Sequence, residues 1–297
     1  MSKKKFKLID KCFSWAGKGE HAVNTGSSVT PNRVPDYVEW VHEGYGNHQS
    51  TFNNLTETDE TFYTEDLIFL GLNDNKSAKK YGYLFEPKWY NQTAVYIKNN
   101  PEQFVEKYDA IFTHDKELIE LNPEVFKFAY GQGAMIEEVG MFEKTKLVSS
   151  ILSTKSMSNG HKLRIDIGKQ LEETGQVDCF GKLHDRFLER KIDGMKDYMF
   201  SFAFENDVYP HYFTEKLLDC FMTGTIPIYL GDPEIGKFYN TDGMILIDYK
   251  DGGIEFNSDC LTEEFYNDRI DAVKDNYERV VNQQSVEDYI YLNYFND

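Results

Sequence analysis

The sequence predicts an α/β protein built from two Rossmann-like, doubly wound domains. Three observations carry that expectation. The chain has 297 residues, more than one hydrophobic core usually organises. Its second half alternates short apolar runs with segments of helical spacing, the sequence form of parallel βαβ units. One of those apolar runs ends in a dense polar cluster, "FENDVYPHYFTEK" (204–216), and open α/β sheets bind ligands beyond the carboxyl ends of their strands.

The elements follow in chain order. The first 60 residues are polar, and "VPDYVEWVHEGYG" is the only hint of an early unit. "DLIFLGL" (66–72) reads as a buried strand, and "YGYLFEP" (81–87) as a second one stopped by Pro87. "PEQFVEKY" is helical, "DAIFTHD" (109–115) a strand and "KELIELN" a short helix. "KLVSSILST" (146–154) opens a second series. "GHKLRIDIGKQLEET" (160–174) is a helix with Leu163, Ile167 and Leu171 at spacing four. "VDCFG" reads as a strand, "DRFLERKIDGMKDY" as a helix broken near Gly194, and "MFSFAFEN" (199–206) as a nearly unbroken apolar strand. "TEKLLDCFMTG", "IPIYLG", "EIGKFYN" and "GMILID" continue the alternation, although Pro227 is awkward inside a strand. The last 35 residues read as helices. The expected division is residues 1–142 for one domain and 143–297 for the other, with terminal helices in the second and a hinge near 139–146.

Composition narrows the function. The formal net charge is −18, which excludes binding nucleic acid or an anionic membrane through the overall field. Residues 144–196 run against that trend, with eleven Lys or Arg and seven Asp or Glu. A small anion such as phosphate belongs there. Aromatics make up 15% of the chain; they suit stiff cores and also sugar stacking. The four cysteines, Cys12, Cys179, Cys220 and Cys260, form no C-x-x-C pair, so neither a disulfide framework nor a zinc site is expected. No apolar run approaches the roughly 18 residues of a membrane span, and the basic start lacks the apolar core of a signal peptide. These features predict a cytoplasmic, microbial or viral setting.

The polar cluster has a chemical logic. Thr214 stands where an N-cap should, its hydroxyl placed to accept from an amide of the first turn. Leu217, Leu218 and Phe221 form the buried face, and Gly224 follows the helix end. Glu215 and Lys216 then lie beside the free amides and the positive end of the helix dipole, an anion site. Lys216 can reach phosphate, and Glu215 can accept from vicinal hydroxyls. An acid and a base side by side fit a ligand carrying both groups: a sugar nucleotide.

The run "FENDVYPHYFTEKLLDCFMTGTIPIYLGDPEIGKFYN" resembles the donor-binding motif of the α1,3/4-fucosyltransferases, glycosyltransferase family 10. The family pattern is F-E-N, a short loop, Y-x-T-E-K, an apolar helix and T-x-P-[IV]-Y-W-G. The match is strong over about 40 residues, and Leu230 stands where the family has Trp. The resemblance implies a GT-B-like fold whose two domains face a cleft, the N-terminal one on the acceptor side and the C-terminal one binding the nucleotide sugar. It implies GDP-fucose as donor and inversion at the anomeric carbon. Asn206, Tyr212, Glu215 and Lys216 fall on donor-contacting positions, and Glu205 on the acidic position before that Asn. Arg164 matches a diphosphate-binding Arg, in keeping with the grip of a guanidinium on two phosphate oxygens. Ser149, Ser150 and Ser153 are further phosphate or base contacts, and Thr214 completes the donor set.

An inverting transferase needs a base to deprotonate the acceptor hydroxyl. Glu86, at the carboxyl end of "YLFEP", is the leading candidate, where the family also places an acidic residue. Glu43, Asp115, Glu137 and His114 remain alternatives. The chain has no D-x-D motif, so no cofactor and no divalent cation is demanded. The expected partners are a nucleotide sugar and a glycan or glycoconjugate acceptor. Two rivals stay open: a transferase of another nucleotide sugar, and a catalytically inactive nucleotide-sugar or glycan-binding protein.

Overall fold

A computed structural model describes residues 2–11, 34–43, 47–88, 92–250, 253–255, 258–281 and 285–296. Cys12 lies outside them. The chain divides into two packed units, Met1–Met135 with Gln283–Asp297, and Ile136–Asn282.

The first unit is a six-stranded parallel sheet of β1 (Lys4–Ile9), β2 (Val38–Val41), β3 (Glu60–Thr64), β4 (Lys79–Leu84), β5 (Ala110–Thr113) and β6 (Phe126–Phe128). The strand order is β2-β1-β3-β4-β5-β6. Helices α1 (His48–Asn53), α2 (Ile68–Gly71), α3 (Thr93–Asn99), α4 (Pro101–Val105) and α5 (Lys116–Leu121) connect the strands. Ile9, Tyr63, Leu84, Phe104, Ile111 and Phe126 build one face of the core.

Two expectations change here. The apolar run 66–72 is not a strand but a 3₁₀ turn leading into α2. A short apolar run does not by itself distinguish a buried strand from a buried helical turn. The strand lies one step earlier, in the Thr- and aromatic-rich Glu60–Thr64, which pairs with β1 and β4. β1 itself went unread because Lys4, Lys5 and Lys7 mask the alternation that buries Phe6 and Leu8.

The second unit has a five-stranded parallel sheet of β7 (Lys146–Ile151), β8 (Asp178–Phe180), β9 (Tyr198–Phe204), β10 (Ile226–Leu230) and β11 (Ile245–Leu246), ordered β11-β10-β9-β7-β8. Helices α6 (Asn159–Thr174), α7 (Glu215–Met222), α8 (Glu263–Asp268) and α9 (Ile270–Val281) surround it, and β12 (Asp248–Lys250) and β13 (Gly253–Glu255) form a small hairpin. All seven residues of β9 are buried, as a central parallel strand requires. On α7, Leu217, Leu218 and Phe221 are at most 1% exposed, each stabilising the unit by about 1.5–3 kcal/mol.

Pro227 is tolerated in β10 because the β10–β11 ladder begins only at Ile228, so its missing N–H falls outside that ladder. The segment expected as a helix over 185–198 forms only a 3₁₀ turn, Lys191–Gly194. Asp185 adopts a left-handed φ of 51° and Phe187 is 70% exposed, so the segment's first residues leave the helical path, while Ile192, Met195 and Tyr198 are buried without one.

Both sheets wind alike. In each, the first strand lies between the second and the third, so the winding reverses between β1 and β3 and again between β7 and β9. Such a reversal opens a crevice at the carboxyl ends of the two strands.

The C-terminal helix α10 (Val286–Tyr294) packs in the first unit, where the sequence had placed it with the second. Its Asp288 carboxylate accepts from Asp36 N at 2.8 Å and Tyr37 N at 2.9 Å. Glu287 accepts from Trp40 Nε1 at 3.1 Å. Beyond the helix, the Phe295 ring lies 5.1 Å from Phe6 and 5.0 Å from Tyr81. Nothing in local spacing foretells contacts across more than 200 residues. Phe295→Ala is expected to destabilise the first unit by about 2–4 kcal/mol, read as a lower urea midpoint; a loss below about 0.5 kcal/mol would show that the ring is not part of the core.

Candidate active site

The second unit carries the chemistry at its winding reversal. α6 begins beyond β7, and the polar loop begins beyond β9. Ser158 caps α6, its Oγ accepting from His161 N at 3.0 Å. The start of α6 presses on the loop: a Cβ on Gly160 would lie 2.2 Å from the Asn206 carbonyl oxygen, so only glycine fits. This contact brings Arg164, one turn into α6, under the end of β9. Its Nη1 donates to Asn206 Oδ1 at 2.7 Å and to the Phe204 carbonyl at 3.4 Å. The side chain is buried, yet Nε meets no partner among the described residues.

Arg164 lines a cavity of about 270 Å³ together with Lys182, Lys191, Glu215 and Lys216. Four cations against one carboxylate is the reverse of the chain's overall charge. Leu152 and Phe204 supply apolar wall, and Ser153 a hydroxyl. Gly181 holds the wall open at φ +95°, where a Cβ would strike the Leu152 carbonyl oxygen at 2.3 Å. Lys182 and Lys191 were not singled out from sequence. The signal that reaches them is the positive excess of 144–196, which marks a region without naming a residue.

Around the start of α7 the expected roles are redistributed. Glu205 is 2% exposed, and its carboxylate faces inward. Oε1 accepts from Thr214 N at 2.7 Å; Oε2 accepts from Thr214 Oγ1 at 2.7 Å and from Lys216 Nζ at 3.3 Å. Glu205 is therefore a brace between β9 and α7, and its oxygens are occupied within the protein. Thr214 has the extended backbone of an N-cap but makes no side-chain cap bond. Its hydroxyl donates to Glu205 and accepts from Lys216 at 2.9 Å.

Glu215 reaches Lys216 Nζ at 3.1 Å. Burial pushes its carboxyl up, but Lys216 and Lys191 outweigh that and hold it well below the usual carboxylate range. It is thus an anion at neutral pH and can only accept hydrogen bonds. Lys191 is braced in turn by Asp219, fully buried on α7, at 2.6 Å. His161 is pushed down to about 4 by burial and by the nearby Arg164 and Lys216, so it adds no charge. Tyr212 is buried, its ring 4.8 Å from Tyr209 and nearly parallel to it; it is not among the residues lining the cavity.

Ser149 and Ser150 do not fit a phosphate-contact role. Both are fully buried within β7, and Ser149 Oγ donates to Ser201 Oγ at 3.0 Å across the sheet. They precede the carboxyl end of the strand, where Ser153 does line the cavity. Leu230, the departure from the family pattern, is 4% exposed in the apolar cluster with Phe204 and Ile247.

In the first unit, Glu86 follows β4 and is half-buried. The rival bases have other work. Asp115 caps α5, accepting from Glu117 N at 3.0 Å, and pairs with Lys88 at 2.8 Å. Glu137, in the second unit, accepts with both oxygens from Lys191 N and Ile192 N at 2.8 and 3.0 Å. Glu43 is exposed beside Asn54. His114 is fully buried, which pushes its pKa down to about 4. Among the described residues no group of three or more His, Cys, Asp or Glu is placed to hold a metal ion, and no helix is long and apolar enough to cross a membrane.

Two parallel-sheet units of this winding, one with a cationic cavity at its reversal, define the GT-B class of α/β fold. Two solved structures share it. Anabaena HepE in complex with UDP-glucose aligns with a TM-score of 0.52 at 10% identity, covering 95% of this chain and 96% of that one. TarM aligns with a TM-score of 0.51 at 14% identity, covering 82% and 55%.

The family comparison is narrower. Residues 141–251 match the model described as glycosyltransferase family 10 (fucosyltransferase) C-term. The α-(1,3)-fucosyltransferase FucT of Helicobacter pylori is 34% identical over 64 residues, 21% of this chain and 13% of that protein. The 3-galactosyl-N-acetylglucosaminide 4-α-L-fucosyltransferase of Bos taurus is 32% identical over 94 residues, 31% of this chain and 25% of that protein. The chain thus spans a quarter or less of the length of these curated relatives. The resemblance read from the polar run lies inside the matched segment, which also holds Arg164 and every residue lining the cavity.

Asp232, two residues beyond β10, is 2% exposed; burial pushes its carboxyl up to about 6. A carboxyl raised in the folded state binds more protons folded than unfolded, so stability falls as pH rises from about 4 to 6. Asp232→Asn should stabilise the fold at pH 7.5 by about 1–3 kcal/mol, read as a higher urea midpoint, and leave it nearly unchanged at pH 4. An equal effect at both pH values would refute the shift.

Proposed function

We propose that the protein is an inverting glycosyltransferase that transfers fucose from GDP-fucose to a hydroxyl of a glycan acceptor. The observation that carries this reading is Arg164: a buried guanidinium with an unsatisfied Nε, facing a cationic cavity at a winding reversal, inside the segment matched by the family model. Buried polar groups without partners are rare and ask for a ligand.

The reaction follows from the residues. As the bond from the anomeric carbon to phosphate breaks, charge develops on the departing diphosphate. Arg164 and Lys216, with Lys191 beside them, neutralise it by charge-assisted hydrogen bonds. Glu215, held as an anion, accepts from donor hydroxyls. The anomeric carbon becomes oxocarbenium-like. The acceptor oxygen attacks it from the face opposite the leaving group, and Glu86 takes the proton of that hydroxyl. Glu205 contributes by bracing Thr214 and Lys216 rather than by touching the donor. Asn206 acts through its bond to Arg164.

Transfer from another nucleotide sugar stays in view because Leu230 replaces the family's Trp. Calorimetry against GDP, GDP-fucose, GDP-mannose and UDP-glucose separates the two. GDP and GDP-fucose are expected to bind; a chain that binds UDP-glucose and neither GDP ligand would overturn the fucose reading. Arg164→Ala should weaken GDP binding about tenfold or more, the loss of one to two charged hydrogen bonds. Glu86→Gln should leave GDP-fucose binding intact and abolish transfer, measured as GDP release. Retained turnover would place the base elsewhere.

A further inference from the structure

We propose that Glu65 is a positioning residue that presets the backbone carrying Glu86. The inference rests on the reading of Glu86 as the base. Glu65 is the first residue beyond β3, on the winding reversal of the first sheet. Its φ is +50°, in the left-handed region that a residue with a Cβ seldom adopts. Such a conformation persists where the surroundings hold it, and it is a mark of functional sites. Gly or Asn would sit there with less strain. The side chain supplies the reason for Glu: its Oε1 accepts from Phe85 N at 2.6 Å and from Glu86 N at 2.8 Å.

Those two amides lie just past the end of β4, whose pairing with β3 stops at Thr64 and Tyr83. Beyond that register the β3–β4 ladder supplies no backbone partner. The left-handed turn at Glu65 swings its carboxylate across the gap and replaces the missing partner with a charged acceptor, which holds its donors more strongly than a carbonyl does. The other side of the loop is held as well. Lys88 pairs with the buried Asp115 at 2.8 Å, and Pro87 between them restricts the backbone of Glu86 to extended conformations. His114, buried and uncharged, packs against the Phe85–Glu86 backbone. The candidate base is thus fixed from β3 and from β5, while its side chain remains half-exposed. Fixing the backbone of a base before substrate arrives removes ordering from the reaction step.

The test uses the full chain with Glu65→Ala, Glu65→Gln and Glu65→Gly. Hydrogen exchange of the segment 80–88 reads the clamp without turnover. Protection at Phe85 and Glu86 should be lost in Glu65→Ala and Glu65→Gly and kept in Glu65→Gln, whose amide oxygen still accepts. Glu65→Gly relieves the strained φ while removing the same two hydrogen bonds; a urea midpoint close to the parent's then assigns loosening at 85–86 to the lost carboxylate and not to unfolding. With GDP-fucose as donor and water as acceptor, the kcat for GDP release should fall about 10- to 100-fold in the Ala and Gly variants. The affinity for GDP measured by calorimetry should not change, and the Gln variant should stay within about threefold. Parent-like protection in Glu65→Ala overturns the proposal. So does a parent-like kcat in Glu65→Ala when Glu86→Gln is inactive. Should Glu86→Gln turn over normally, the base reading fails and the catalytic part of the proposal fails with it, while the exchange result separates that failure from a failure of the clamp.

Discussion

The candidate donor site depends on one buried carboxylate. Glu205 is the first residue beyond the central strand of the second sheet and accepts from the backbone amide and hydroxyl of Thr214 and the ammonium of Lys216. A carboxylate taken out of water costs several kcal/mol unless charges and donors surround it. Here they offset only part of it: burial still pushes the Glu205 carboxyl above the usual carboxylate range, and removing any one partner would push it further. The arrangement fixes where α7 starts relative to β9. From that start follow the place of Lys216 on the cavity wall, the ionised state of Glu215 beside it, and the line of buried residues that anchors the helix in the core.

The same economy of placement runs through the rest of the second unit. Asp219, one turn further along α7, holds Lys191 at the cavity and accepts from Ile136 N at 2.9 Å. Glu137 clips the turn that carries Lys191. Glu137, a candidate base in the sequence, and Asp219, which the sequence did not single out, both serve to place Lys191. A chain of net charge −18 thereby presents a positive cavity: apart from Glu215 its local carboxylates are turned inward, and its ammonium and guanidinium groups are left facing the space. Arg164 shows the same division, bound on one side to Asn206 and the Phe204 carbonyl and without a partner at its buried Nε among the described residues.

The parts most legible in sequence were those governed by short-range rules. Strand–helix alternation from 146 to 246 emerged because buried parallel strands read as unbroken apolar runs. α6 and α7 emerged because their apolar residues recur at three and four. Arg164, Glu215 and Lys216 line the cavity, and each sits in the opening turns of a helix that follows a strand. The parts misread needed information that no window contains. β1 hides its alternation under three lysines, and 66–72 is equally apolar as strand or helix. The C-terminal helix and the Phe295 that follows it join the first unit through Trp40, Phe6 and Tyr81, partners more than 200 residues away.

Composition, periodicity and the polar run after β9 were enough to determine an α/β protein with two wound sheets, and to mark the mouth of α7 as the candidate site. Which way each polar group points was decided by tertiary packing alone. Glu205 and Glu215 are both acidic residues of one short motif, yet one is sealed behind Thr214 and the other faces the cavity. Ser150 and Ser153 lie three residues apart, yet one is inside the sheet and the other beyond its edge. The physical reason is that a charged or hydroxyl group takes its role from the partners that desolvate or satisfy it. Those partners are brought together by the fold rather than by the order of residues.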